Sequence, residues 1–426
     1  MTLSASGPRG RSCGEDLTAC ACRGESACVS KRVILCFDGE WDRPPNPGVW
    51  GFSSKQPSRQ SRSASRVDSP PATNVLRLYQ SILPRAGDGR LQQKWYEPGT
   101  AIPWFNRFRD GAFGYGLDQT ILQGYAYLAA TYDPGDELYL YGFSRGAYTA
   151  RSLVGLLTLA GLPSPTRLNA DHVRLVRKAA SPLSPSIGAA GHLRECLTRM
   201  VIDPENHVID EAYRLYRTLQ HARHSSGFHP SRRRGGSEIA VTLLGLWDTV
   251  GPLGIPTSAL RWLNEHRYNF RDTDLSPNVQ QACHAVAIDE HRADHNATLW
   301  TSPPKAGQII EQRWFAGAHG DLGGTYPDRD LADASLAWIQ RHSVAKGLAI
   351  EPGGIPEKPN MLSLIHDSFS ECFVGFRKWI HPRFYRPVMQ TGTDTEVLDG
   401  SVHIRLLHYP TYRPKNEGLN SLLTFR

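Results

Sequence analysis

Three side chains of this sequence have the types, spacing and order of a nucleophilic relay. Ser144 lies in Gly142-Phe143-Ser144-Arg145-Gly146, directly after the alternating apolar run Glu137 to Tyr141 and directly before the helix-patterned stretch Ala147 to Leu157. A strand, Gly-x-Ser-x-Gly and a helix in succession make a tight turn that presents the serine hydroxyl. Glycine at Gly142 and Gly146 removes side chains that would strike neighbouring backbone. The turn also sets Ser144 at a helix N-terminus, where unpaired N–H groups favour a developing negative charge.

A serine hydroxyl is a weak nucleophile, so it needs a base, and the base needs an orienting carboxylate. Two later strand ends supply them. Ile239 to Trp247 reads as a buried strand that stops at Asp248, and Ile309 to Ala316 as one that stops just before Gly317-Ala318-His319-Gly320-Asp321. Open α/β sheets collect their ligands at such carboxyl ends. Ser144, Asp248 and His319 then follow in the order Ser, Asp, His. His319 stands apart from His284, His291 and His295 through its glycine-rich, strand-terminal setting. Asp248 could instead only cap the turn after its strand. Asp321 is a rival acid, but it lies too close to His319 to orient it from another strand, and could hold the His319 loop by accepting backbone N–H bonds. For an oxyanion hole, Arg145 offers one backbone N–H. The loop after the first strand, Asp38-Gly39-Glu40-Trp41, offers the second from Gly39 or Glu40.

The remaining elements must carry these groups. Lys31 to Phe37 reads as a central parallel strand, Asn74 to Leu83 as a helix with Asn74 as N-cap, and Gln92 to Tyr96 as a second strand. Gly116 to Tyr132 has an amphipathic helical pattern, Gln281 to Ile288 reads as helix or strand, Leu331 to Val344 as helix, and His403 to Leu407 as strand. Alternating strands and helices predict an α/β fold, a mostly parallel sheet flanked by helices. Residues 1–30 are polar and read as a disordered tail. Residues 31–346 read as the hydrolase domain, with a Ser/Pro/Arg-rich loop at 44–72 and a helical insertion at about 157–235. Residues 347–426 read as a C-terminal extension packed on it.

With 426 residues, 40% of them hydrophobic, the chain can bury a sizeable core. No apolar run reaches the roughly 18 residues of a transmembrane helix. The first residues lack the apolar region of a secretory signal, so synthesis and folding in a cytoplasm are expected, with export by a route without a cleaved signal left open. The net charge of +7 reads as surplus surface Arg or as an anionic partner, with a membrane surface ahead of nucleic acid because no nucleic-acid-binding motif stands beside it. Cys13, Cys20, Cys22 and Cys28 lack paired Cys-x-x-Cys knuckles and a nearby His, and read as a reduced tail rather than a zinc site. Cys36, Cys196, Cys283 and Cys372 read as small core residues.

The blocks FDGEW, TNV, GFSRGAYTAR, LGLWDTVGPLG, HAVAIDEHR and WFAGAHGDLGGTY occur in that order between Lys31 and about Trp338. In them the chain resembles the uncharacterised α/β-hydrolase domain family that includes phospholipase effectors of bacterial type VI secretion, lipase effector family one. The resemblance implies an α/β-hydrolase fold, a Ser-Asp-His triad carried on Ser144, Asp248 and His319, lipase or phospholipase activity without a cofactor, and, for an effector, a secretion-system or immunity partner. This chain departs from the family pattern at Glu40, where members typically have Thr, and at Gly320, Leu322 and Thr325 in the His block. Two other readings remain. One is a metal-dependent phosphoesterase built from Asp38, Asp248, Asp321 and His319; the other is a hydrolase-fold binding protein without catalysis.

The insertion generates a test. Its helical pieces interleave basic and apolar residues, as in Tyr213-Arg214-Leu215-Tyr216-Arg217, a pattern that suits a lid resting on anionic lipid. With Arg214 and Arg217 replaced by Glu, short soluble esters should turn over as before, while hydrolysis on anionic vesicles should drop and lose its salt sensitivity. Equal loss on both substrates would mark the insertion as ordinary packing.

Overall fold

The computed structural model describes residues 30–39, 71–99, 120–160, 162, 239–251, 274–351, 359–373 and 382–419, apart from single gaps at 122, 126 and 129–130. The tail at 1–29, most of the loop at 44–72 and nearly all of the insertion at 157–235, with Arg214 and Arg217, lie outside the described residues.

Seven strands form one sheet in the order β2-β1-β3-β4-β5-β6-β7, with every neighbour parallel. They are β1 (Arg32–Phe37), β2 (Gln92–Glu97), β3 (Glu137–Phe143), β4 (Val241–Trp247), β5 (Gln281–Ala287), β6 (Ile309–Phe315) and β7 (Glu396–Leu398). The central strands are apolar on both faces because both faces are covered. Val33, Leu35 and Phe37 of β1 join Leu138, Leu140, Leu244 and Leu246 in one core, under helix α2 (Arg145–Ala160) and the helical residues between 120 and 131. Ile34 and Cys36 point the other way and join Tyr139, Tyr141, Leu243 and Trp247. There they meet α1 (Asn74–Ser81), α3 (His319–Gly323) and α4 (Asp330–Ala345). The period-2 alternation of a strand thus feeds two cores at once. Among the described residues no helix is long and apolar enough to cross a membrane.

The strand order turns back on itself between β1 and β3, since β2 lies outside β1. This is the switch point at which the connections diverge and leave a crevice beyond the carboxyl ends. Asp38 follows β1 and Ser144 follows β3 at that crevice. Asp248 follows the next strand over, β4.

Two secondary-structure readings from the sequence, and the burial of Cys372, need correction. The N-cap of α1 is Thr73, whose hydroxyl accepts from the Leu76 N–H, and not Asn74. Asn74 is fully buried instead, and its Nδ2 donates to the carbonyls of Leu322 and Ala332 at 2.8 Å each, tying α1 to α3 and α4. The run His403 to Leu407 is not a strand but part of helix α6 (Gly400–His408). Asp399 caps that helix, and buried Val402 and Arg405 recur at a helical spacing that the local alternation concealed. Gln281 to Ile288, whose pattern allows helix or strand, contains strand β5. Cys36 and Cys283 are buried, whereas Cys372, at the end of the short helix α5 (Ser368–Cys372), is only half-buried.

The segment beyond Gly347 does more than rest on the sheet, because it supplies β7, paired with β6 from Gln312↔Glu396 to Trp314↔Leu398. Glu396 anchors it by accepting from the Trp314 indole at 2.7 Å.

Asn74 provides the stability test. Asn74→Ala removes the buried Nδ2 donor that bridges Leu322 O and Ala332 O, leaving them only the Ser335 hydroxyl as a side-chain donor, a loss of about 1–2 kcal/mol. Urea unfolding should show a lower midpoint at an unchanged slope; a midpoint equal to wild type would mean that Asn74 does not hold these helices together.

Candidate active site

Ser144 occupies the turn between β3 and α2 with φ 56°, a left-handed conformation that costs a non-glycine residue roughly 1–2 kcal/mol. Its neighbours hold it there. The Ser144 N–H donates to Trp247 O at 2.9 Å, and Ser144 O accepts from Val250 N at 3.3 Å. Glycine is required on both sides. A Cβ on Gly146 would lie 2.2 Å from Phe37 O, and one on Gly142 would lie 2.5 Å from Gly146 O. The expected elbow is therefore a turn whose backbone nests against the end of β1.

Asp248 follows β4 and is also left-handed, with φ 42°. Its backbone N–H donates to Ala285 O at 2.8 Å, which fixes the turn to β5. His319 is the first residue of α3. These three side chains meet. His319 Nε2 lies 2.9 Å from Ser144 Oγ, and His319 Nδ1 lies 2.6 Å from Asp248 Oδ2. Phe143 flanks the imidazole at 4.7 Å between ring centroids, and His295 meets it edge-on at 5.3 Å.

Asp248 has no solvent exposure. Burial alone would favour its neutral form, but the Arg386 guanidinium and His319 outweigh burial and hold the carboxyl well below the usual carboxylate range. Arg386 donates to Asp248 Oδ1 at 2.6 Å and to Oδ2 at 2.9 Å, and the Ala287 N–H donates to Oδ1 at 3.0 Å.

The supporting carboxylates have separate tasks. Asp321 Oδ2 accepts from the Ala318 N–H at 2.8 Å, so it does hold the His319 loop. Its other oxygen faces His366 Nδ1 at 2.7 Å. Burial works against charge on His366, but the Asp321 carboxylate overcomes this and raises its basicity. Asp38 accepts from the hydroxyls of Thr73 at 2.5 Å and Tyr96 at 2.6 Å. Asp38 Oδ1 also accepts from the Gly39 N–H at 2.8 Å, so that proposed oxyanion donor is already engaged. Glu40 lies outside the described residues. Gly39 itself packs over the nucleophile, with a Cβ there 3.0 Å from Ser144 Cβ.

Asp38, Asp248, Asp321 and His319 do not converge as ligands, and among the described residues no group of three or more His, Cys, Asp or Glu is arranged to hold a metal ion. The Asp248 oxygens face a guanidinium, an imidazole and a backbone N–H, and Asp38 faces two hydroxyls and a backbone N–H.

The family described as "T6SS, Phospholipase effector Tle1-like, catalytic domain" matches residues 31–342. The chain belongs to that family. A curated relative, "Uncharacterized protein YEL023C" of Saccharomyces cerevisiae, is 30% identical over 289 residues, which are 64% of this chain and 33% of the relative. The chain thus spans about a third of that relative's length. A crystal structure of an uncharacterized protein from Pseudomonas aeruginosa is 16% identical over 83% of this chain and 51% of that chain, with a TM-score of 0.35. The structure of the Tle1 effector bound to the VgrG spike from the type VI secretion system is 18% identical over 60% of this chain and 40% of that chain, with a TM-score of 0.27.

The chain holds further groups that local sequence signals did not single out. Arg386 lies 138 residues after Asp248 and carries no motif of its own. Glu290 is fully buried at the His319 loop. Its Oε2 accepts from the His319 N–H at 3.3 Å and from the Ser368 hydroxyl at 2.9 Å. Burial opposes its charge, but Arg292 prevails and keeps it well below the usual range. Glu290 lies within the block HAVAIDEHR. His284 in the same block is a core residue. Burial and the nearby Arg151 push its pKa down to about 3, and its Nε2 accepts the Thr249 N–H at 3.0 Å.

Asp289 supplies a pH test. Burial lifts its pKa to about 6, against the hydrogen bonds it accepts from Gly317 N at 2.8 Å and Tyr412 Oη at 3.0 Å. The raised folded value means that its stabilising contribution is complete below about pH 4 and is lost as pH rises through about 6. Relative to Asp289→Asn, wild type should lose roughly 3 kcal/mol of unfolding free energy across that window. Urea melts at several pH values measure it; a wild-type advantage that grows with pH would reverse the sign and refute the assignment.

Proposed function

We propose that this chain is a serine hydrolase of lipid carboxylic esters, with glycerophospholipid as its substrate class and Ser144, His319 and Asp248 as its triad. The observation that carries the reading is the continuous relay from Ser144 Oγ to His319 Nε2 at 2.9 Å and from His319 Nδ1 to Asp248 Oδ2 at 2.6 Å. Membership of a phospholipase effector family supports the lipid substrate.

In this reading the neutral imidazole donates Nδ1–H to Asp248 and accepts the Ser144 hydroxyl proton at Nε2. Ser144 Oγ attacks the ester carbonyl, and His319 then protonates the departing alcohol. Water, deprotonated by the same nitrogen, releases the fatty acid from the acyl-enzyme. Asp248 stays ionised and fixes the tautomer. The tetrahedral oxygen faces the N–H of Arg145, the first residue of α2, where the helix end adds to the field. The second donor of this scheme is the N–H of Gly39 or Glu40; the Gly39 N–H is directed to Asp38, and Glu40 lies outside the described residues. No cofactor enters these steps. The family's description also supports delivery by a type VI secretion system, with a component of that system as partner.

Ser144→Ala is the direct test. Ester hydrolysis should fall by roughly 10⁴-fold or more, and fluorophosphonate labelling should vanish, while circular dichroism and the melting temperature stay near wild type. Comparison of the lipids released from phospholipid vesicles by the two proteins would identify the ester position. Wild-type turnover by a folded Ser144→Ala variant would sink the serine mechanism. Release of phosphate or head group with no fatty acid would sink the ester assignment.

A further inference from the structure

The family match stops at residue 342, yet the guanidinium that faces the Asp248 carboxylate comes from Arg386. The two side chains are 1% and 0% exposed. We propose that Arg386 is a positioning residue for the relay. Its planar fork fixes the plane of the Asp248 carboxylate and shares that carboxylate's charge with His319. This inference rests on the triad reading above.

The geometry around Asp248 is saturated. A carboxylate offers about four lone-pair sites. Oδ1 receives Arg386 Nη1 at 2.6 Å and the Ala287 N–H at 3.0 Å. Oδ2 receives Arg386 Nη2 at 2.9 Å and faces His319 Nδ1 at 2.6 Å. The carboxylate therefore cannot rotate without breaking several charge-assisted bonds. A lysine at 386 would supply the charge without the fork.

The fork is itself held in place. Arg386 Nη1 donates to Ala287 O at 2.7 Å, and Nη2 to His295 O. These acceptors lie at the end of β5 and in the short turn whose His295 ring meets His319. From behind, Asn416 Nδ2 donates to Arg386 O at 3.0 Å and to Ile288 O at 3.2 Å, and Val388 N donates to Glu417 O at 2.9 Å. The C-terminal segment thus grips the backbone of Arg386 on one side, while the sheet grips its head group on the other.

The charge matters as much as the plane. A general base must start neutral. A buried carboxylate with no cation beside it would either take up a proton itself or hold the imidazole as imidazolium. Arg386 relieves Asp248 of both tendencies. Other charged and titratable groups among the described residues also surround His319. Glu290 accepts its backbone N–H and is paired with Arg292 at 2.9 Å; His295 meets its ring; and Asp321, on the same loop, faces His366.

The experiment uses the full chain with Arg386→Met and Arg386→Lys. The readouts are kcat/KM on a short-chain nitrophenyl ester and the rate of fluorophosphonate labelling, each over about pH 5 to 9 to cover both limbs. Circular dichroism and thermal melts report the fold, and peptide mass spectrometry locates the label. Arg386→Met should lower both rates by roughly 100-fold and move their acid limb to higher pH. Arg386→Lys should keep the wild-type acid limb and still react slowly, because charge is restored without the fork. A folded Arg386→Met with an unmoved acid limb overturns the proposal, whatever its rate. Should Arg386→Met fail to fold, a folded Arg386→Lys at the wild-type rate overturns it equally. Failure of both to fold makes Arg386 a structural ion pair and nothing more. Absence of label at Ser144 in wild type is a different failure, which removes the triad reading and this inference with it.

Discussion

The Asp248 carboxylate is ionised and wholly out of water, and much of the surrounding architecture answers to that condition. Desolvating a lone carboxylate costs several kcal/mol, which only well-aimed opposite charge and hydrogen bonds can offset. Here the matching groups come from widely separated parts of the chain. Ala287 lies at the end of β5, His319 opens the helix after β6, and Arg386 arrives from the segment that goes on to form β7. The sheet's carboxyl edge is thus a place where backbone donors and two cationic or polarisable side chains converge on one anion. Removing Arg386 would leave that anion in the interior without its cation.

The same edge stores conformational energy. Ser144 and Asp248 both sit in the left-handed region, and neither is a glycine. Their turns are held by bonds to adjacent strands, Ser144 N to Trp247 O and Asp248 N to Ala285 O. Each turn therefore leans on the strand beyond it. Order passes laterally across β3, β4 and β5, so the spacing between the serine and the carboxylate is a property of the sheet and not of either loop.

How much of this could be read from the sequence followed from the range of each signal. The strands at Lys31 to Phe37, Ile239 to Trp247 and Ile309 to Ala316 were legible because burial on both faces leaves continuous apolar runs. The elbow was legible because close backbone approach admits only glycine at Gly142 and Gly146. Signals that compete locally were misread. Thr73 and Asn74 are both good capping residues, and only tertiary contacts decide between them: Thr73 also binds Asp38, while Asn74 is drawn inward to α3 and α4. In α6 a short alternation mimicked a strand, and the Asp399 cap was the better guide. Arg386 was invisible for a different reason. One arginine among many carries no periodicity, and its role exists only once the chain has returned across the sheet. Gly39 falls between these cases, since its placement over Ser144 fits the expected loop but its N–H is turned to Asp38.

The return of Arg386 to Asp248 also bears on how the chain is made. The two residues are 138 positions apart. At synthesis rates of about 5–20 residues per second, that separation corresponds to roughly 7–28 s on the ribosome. Throughout that interval the nascent β4 carries a carboxylate whose cation does not yet exist. The central sheet cannot close over Asp248 as it does in the finished protein, because the anion still needs water or a proton. Assembly of this edge therefore cannot precede synthesis of Arg386 and depends on long-range contact formation, and a ribosome-bound chain ending before Arg386 holds its serine on an unfinished scaffold.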